Sequence, residues 1–269
     1  LVNMSLKLYY DFLSQPSRAL YILFKKANIP FEAKAISLRN GKLLYKSNHN
    51  IYEKRCQVIV ACKLALCHRG FRYSQRFYLT QSFQHTFSSK PNTFFCLSII
   101  NICIYFSVAI AQYLRREKII PENFFPSDSK LQARVDEFLL WHQFNVRAPC
   151  LKKKIIVYFI YLFIFLFEKR VESQTKKMVE ALDVMENKVL GKGTKFLLGD
   201  KITVADIFGA CEIEQPRMAG YDPKEGRPNL AAWMESVRTE MNPYYDEAHQ
   251  ILNKISKKNE GSAKAKAKL

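Results

Sequence analysis

Acidic side chains are scarce in this chain: 24 Asp and Glu stand against 42 Lys and Arg in 269 residues, a formal net charge of +18. A balance of that sign invites a nucleic-acid or membrane partner, so the location of the excess matters more than its size. It is confined to three stretches, with +9 on residues 39–106, +4 on 152–170 and +5 on 254–269, and the remainder sums to zero. No phosphate-binding face is supported on the body of the protein, and no nucleic-acid partner is expected. Cysteine and histidine patterning is also thin. The seven cysteines, at 56, 62, 67, 96, 103, 150 and 211, include no CxxC pair and no His spacing suited to zinc. No metal is expected, and the thiols are expected free, in a reducing and cytoplasmic compartment. No signal peptide opens the sequence, and Leu1-Val2-Asn3 ahead of Met4 reads as upstream frame, with Met4 the expected start. Long apolar runs are few. Residues 94–111 hold 18 positions without a charge, the minimum for a membrane span, but include Asn101 and run into a helical pattern. The uncharged residues 155–167 are too short to span, so membrane insertion is not expected.

What the sequence does contain begins at residue 6. Leu6, Leu8 and Tyr10 alternate with Lys7 and Tyr9, the period of a strand with one buried face. Pro16 suits the first turn of a helix, and Leu20, Leu23, Phe24 and Ala27 follow at helical spacing. Asn28 is a left-handed stop, and Phe31, Ala33 and Ala35 alternate with Glu32 and Lys34 as a second strand. Residues 6–38 therefore read as a βαβ unit, with Ser14 just past a strand's carboxyl end and at a helix N-terminus, where polar ligands bind in α/β sheets. By itself such a serine is usually a helix cap.

The segment Asp11-Phe12-Leu13-Ser14-Gln15-Pro16 resembles the D-x-L-S-Q-P motif of the theta-class glutathione transferases. Ser107-Val108-Ala109-Ile110-Ala111-Gln112-Tyr113-Leu114 is similar to that family's E-S-x-A-I-x-x-Y-L helix. The resemblance implies an α/β thioredoxin-like N-terminal domain, followed by an all-α C-terminal glutathione transferase domain. It also implies that Ser14 is catalytic, that Gln15 and Ser107 bind glutathione, that Arg147 faces the electrophile pocket, and that the protein is a homodimer. Tyr9 and Tyr10 are rival hydroxyl donors, but both read as strand residues. Glutathione would be the co-substrate, and small apolar electrophiles the other partner, in a detoxifying conjugation.

Departures from the family centre on residues 39–106. One acid, Glu53, and one proline, Pro91, occur there, and neither secondary-structure period holds for long. The Val-Pro motif whose cis proline presents backbone hydrogen bonds to glutathione is absent, Phe106 replaces the acid before the helix serine, and Leu43 stands near a position where theta enzymes often have histidine. Residues 39–106 are therefore read as translated intron sequence, a reading extended to 152–170. The first domain, 4–118, is expected to be interrupted and its sheet incomplete. Two competing readings follow from this: a non-catalytic interaction module with the same fold, and a defective product.

Residues 127–256 read as the helical domain. Leu131, Val135, Phe138, Leu139, His142 and Val146 form one stripe, in which His142 is a core residue. Arg147, at that helix's end, reads equally as a solvated arginine. Met178, Leu182, Met185 and Val189 form the next stripe, and Thr203 with Asp206 is a capping pair that serves folding. Pro228 opens a helix bearing Leu230, Trp233, Val237 and Met241, and Ala248, Ile251, Leu252 and Ile255 mark the last. Residues 257–269 read as a basic disordered tail, whose Ala-Lys-Leu ending resembles a peroxisomal address, the alternative location.

Overall fold

The alternation at the N-terminus produces strand β1 (Lys7–Tyr10), with Leu6 and Leu8 buried. The structure is a computed structural model that describes residues 6–36, 96–99, 102–104, 106–147, 149–150, 164–191 and 193–266. The chain divides into two units, Leu1–Ser17 with Pro30–Ile110 and Arg18–Ile29 with Ala111–Leu269.

In the first unit, β1 pairs in parallel with β2 (Glu32–Ala35) and antiparallel with β3 (Cys96–Ile99), which pairs antiparallel with β4 (Ile102–Ile104). The sheet order is β2-β1-β3-β4. Helix α1 (Gln15–Lys26) connects β1 to β2 as the βαβ reading requires, with Pro16 in its first turn. It stops at Asn28 with φ 53°, where the Ile29 N–H reaches back to the Phe24 carbonyl at 2.9 Å, the bond that closes a left-handed helix end. The expected apolar face of β2 is not buried. Ala33 and Ala35 are exposed, because β2 is an edge strand held by its backbone ladder and flanked by the Lys7–Glu32 and Lys34–Glu32 ion pairs.

Three further expectations are corrected. The sheet is not left without its later strands: β3 and β4 lie inside the segment read as foreign. Ile99, Ile102 and Ile104 are β-branched, and strands of three or four residues fit within the uncharged run 94–111 without any periodic signature. Among the described residues no helix is long and apolar enough to cross a membrane. Residues 164–170, placed in the second atypical segment, begin helix α4 (Ile164–Val184). The tail read as disordered is helical as far as Lys266, because Ala and Lys are strong helix formers and extend helix α7 (Tyr244–Lys266). Residues 39–95, 100, 101 and 105, Leu43 among them, lie outside the described residues.

The second unit is organised on helix α5 (Val204–Ile213), all ten residues of which are buried. Around it stand α3 (Ser129–His142) with its π-helical extension Gln143–Arg147, α6 (Pro228–Met241) and the 3-10 turn Gln215–Ala219, against which α7 packs. Helix α2 (Ser107–Arg116) joins the two units in sequence. Asp206 organises the core. Its Oδ2 accepts from Thr203 N (2.8 Å) and Oγ1 (3.0 Å), and its Oδ1 from Leu197 N (2.8 Å) and Trp233 Nε1 (2.9 Å). His142 is fully buried and bonded to the Phe138 carbonyl, as read from its place on the apolar stripe. Leu131 of that stripe is 43% exposed. The buried face of α7 is Tyr245, Ala248, His249, Leu252 and Ser256, rotated from the apolar reading, so that Ile251 is exposed.

Candidate active site

The sheet places two serines on one edge. Since β1 and β4 both run antiparallel to β3, they point the same way, and the ladder pairs Tyr9 with Cys96 and Ile104 with Leu97, all at the N-terminal end of β3. The chain leaving β1 reaches Ser14, and the chain leaving β4 reaches Ser107, so both emerge from the same edge. Each begins a helix. Ser14 directly precedes α1, and Ser107 is the first residue of α2. The turn between β1 and α1 is fixed by Asp11, whose Oδ1 accepts the Leu13 N–H at 2.8 Å and whose carbonyl accepts the Ser14 N–H at 2.9 Å.

Ser14 and Ser107 are buried, at 6% and 2% exposure. Gln15 beside Ser14 is 2% exposed, and its Nε2 has no hydrogen-bond partner. An amide donor orphaned in a buried position costs about 1–3 kcal/mol unless a ligand or water completes it. Two helix N-termini and a spare amide on one sheet edge suit a polar, anionic ligand. Phe106, where the family pattern has an acid, is 47% exposed, and its carbonyl accepts the Ile110 N–H of α2. Tyr9 and Tyr10 lie in β1, with the Tyr10 ring against Phe12 at 4.9 Å. The missing Val-Pro motif falls on residues mostly outside the described ones.

Arg147 belongs to the second unit and is not the solvated arginine of the plain reading. Its Nε lies 3.5 Å from Glu212 Oε1, its Nη1 donates to Gln143 Oε1 at 2.9 Å, and its side chain is 17% exposed. Burial pushes the Glu212 carboxyl up to about 7, against the pull of Arg147 and Arg18. Burial holds the Asp206 carboxyl above the usual range, against the four donors it accepts from. The Cys211 thiol is pushed up to about 12 by burial, so this buried thiol is no nucleophile at neutral pH. His142 is lowered to about 4 by burial and stays neutral. Among the described residues no group of three His, Cys, Asp or Glu could hold a metal ion. The sequence reading missed Glu212 and Gln143 as partners of Arg147. A carboxyl inside the otherwise apolar end of α5 marked Glu212 as unusual without naming its partner, whereas the i,i+4 spacing of Gln143 and Arg147 was an available local signal for the second.

The β2-β1-β3-β4 sheet with a parallel β1–β2 pair, followed by a helical unit built on a buried capping carboxylate, is the architecture of a thioredoxin-like domain joined to an all-α domain. Comparison with known proteins agrees. The family model "Glutathione S-transferase, C-terminal domain" matches residues 151–240, which include 152–170. Glutathione S-transferase theta-1 of Bos taurus is 32% identical over 256 residues, covering 93% of this chain and 90% of that protein, so residues 39–106 lie within the aligned span. Human glutathione S-transferase T1-1 in its apo form superposes with a TM-score of 0.69 at 28% identity, covering 94% of this chain and 91% of that one. Human glutathione transferase theta-2, solved in complex with glutathione and an unknown ligand, gives 0.69 at 29% identity over 94% and 89%. The chain belongs to the theta-class glutathione transferases.

Proposed function

We propose that the protein conjugates glutathione to small apolar electrophiles, with the Ser14 hydroxyl donating a hydrogen bond to the glutathione thiolate. The observation that carries this reading is the shared sheet edge from which Ser14, the unpartnered Gln15 amide and Ser107 emerge. A cysteinyl thiol with pKa ~8.5 is mostly protonated at neutral pH, and each unit by which the site lowers that value corresponds to about 1.4 kcal/mol of preference for the thiolate. The thiol proton leaves to solvent, and the sulfur attacks the electrophilic carbon. A C–S bond forms as the leaving group departs with its bonding pair. Ser107 and the α2 N-terminus receive the γ-glutamyl carboxylate, Gln15 donates to the peptide, and Arg147 meets the electrophile. Glutathione supplies the nucleophile, and the protein binds and orients it.

The same reading makes the protein a homodimer. Leu140 and Phe144, one turn apart, are 60% and 78% exposed, an apolar pair that a second copy would cover. It also places the protein in the cytoplasm, in keeping with the buried thiols Cys150 and Cys211, which form no disulfide. The functional test is retention on immobilised glutathione and turnover of a small alkyl halide, with Ser14→Ala as control. Retention and turnover that fall in Ser14→Ala are expected. Retention without turnover would favour a binding module instead, and activity indifferent to Ser14→Ala would remove Ser14 from the mechanism.

A further inference from the structure

Helix α5 carries two carboxyls in its buried length, and they are treated differently. Asp206 accepts four hydrogen bonds and is accounted for by folding. Glu212, 2% exposed, accepts none: its Oε2 has no hydrogen-bond partner, and its Oε1 meets only the ion-pair contact with Arg147 Nε at 3.5 Å. A buried carboxyl so poorly satisfied costs the fold stability, so its use lies in what it holds.

It holds one edge of a guanidinium that is fixed from the other side as well. Arg147 Nη1 donates to Gln143 Oε1 at 2.9 Å. Gln143 Nε2 faces His142 Nε2 at 3.1 Å, and His142 Nδ1 faces the Phe138 carbonyl at 3.2 Å. A carbonyl only accepts, so His142 carries its proton on Nδ1 and offers Nε2 as an acceptor. That turns the Gln143 amide so that its oxygen points at Arg147. The π-helical winding of Gln143–Arg147 sets these side chains. Nε and Nη1 are both engaged, and neither contact uses Nη2.

We propose that Glu212 is a positioning residue of the transferase site, acting through Arg147, with Gln143 and His142 completing the clamp. This rests on the functional reading of Arg147 as an electrophile-pocket residue. A flexible arginine restrained before the substrate arrives loses little further freedom on binding, so the clamp favours capture of the electrophile and leaves glutathione binding untouched.

The test is steady-state kinetics on the full chain with both substrates varied, for wild type, Glu212→Gln, Arg147→Ala and the double variant. Gln143→Leu, at a half-buried position, supplies a second route should Glu212→Gln not fold. Glu212→Gln is expected to raise KM for the electrophile by about 5- to 10-fold while KM for glutathione stays within about twofold, and to have no further effect once Arg147 is alanine. Gln143→Leu should give the same split. Equal increases in both KM values, or a Glu212→Gln effect retained in full in the Arg147→Ala background, would overturn the proposal. Absence of turnover in the wild type would overturn the functional reading and this inference with it, whereas turnover with additive effects overturns this inference alone.

Discussion

Replacing Asp206 by alanine should be among the most damaging single changes in the second unit. Its carboxylate is fully buried and receives the Leu197 and Thr203 backbone N–H groups, the Thr203 hydroxyl and the Trp233 indole N–H, all within 3.0 Å. Thr203, Leu197 and Trp233 are themselves buried, so truncation leaves their donors without solvent. Hydrogen bonds to a charged group contribute about 1.5–3 kcal/mol each, and each stranded donor costs about 1–3 kcal/mol. The sum overstates the loss, because burial already disfavours the ionised carboxyl and alanine removes that cost. A net loss of about 3–5 kcal/mol is expected, a large share of the ~5–15 kcal/mol that holds a typical domain together. Thr203→Ala, which removes one hydroxyl and leaves the carboxylate bonded elsewhere, should cost about 1 kcal/mol. Urea unfolding followed by tryptophan fluorescence reads this directly, since Trp233 is one of only two tryptophans. A loss for Asp206→Ala below ~1 kcal/mol, or equal to that for Thr203→Ala, would refute the reasoning.

Two other outcomes follow. Glu212 has its folded pKa raised from 4.5 to about 7, so the native state binds more protons than the unfolded chain between those values, and this group's contribution to stability is lost as pH rises through that window. The stability of Glu212→Gln relative to wild type should therefore improve by about 3 kcal/mol between pH 4.5 and 7, measured by denaturant unfolding at each pH; a difference independent of pH would contradict it. His142, lowered to about 4, works in the opposite sense within each protein and cancels in that comparison. Phe144→Glu, at the most exposed large apolar side chain among the described residues, should weaken self-association at least tenfold in sedimentation experiments without changing the circular dichroism, and an unchanged monomer–dimer balance would remove that face from the interface.

The parts of the molecule that were legible in the sequence are those in which neighbouring residues suffice. The β1–α1–β2 unit could be read from its periods, Pro16 and Asn28, and the Thr203–Asp206 cap from a spacing of three. Trp233, 27 residues beyond Asp206, could not be read as its partner, and neither could Glu212 as the partner of Arg147, because nothing local records a contact made by folding. Strands β3 and β4 were missed for a different reason. Seven strand residues in a mostly apolar stretch contain too little alternation to detect, and Ser98, Asn101 and Ser107 were its polar punctuation. The edge strand β2 shows the converse error: its alternation was real, but Ala33 and Ala35 are too small to demand burial and remain exposed.

The central claim, that Ser14 stabilises the glutathione thiolate, is tested most directly by titrating the bound thiol through its ultraviolet thiolate absorbance in wild type and Ser14→Ala. The claim predicts a bound pKa at least about one unit below the free value of ~8.5 in wild type, rising by about 1–2 units in Ser14→Ala, the equivalent of one hydrogen bond to a charged group. Superimposable titrations of the two proteins would contradict it.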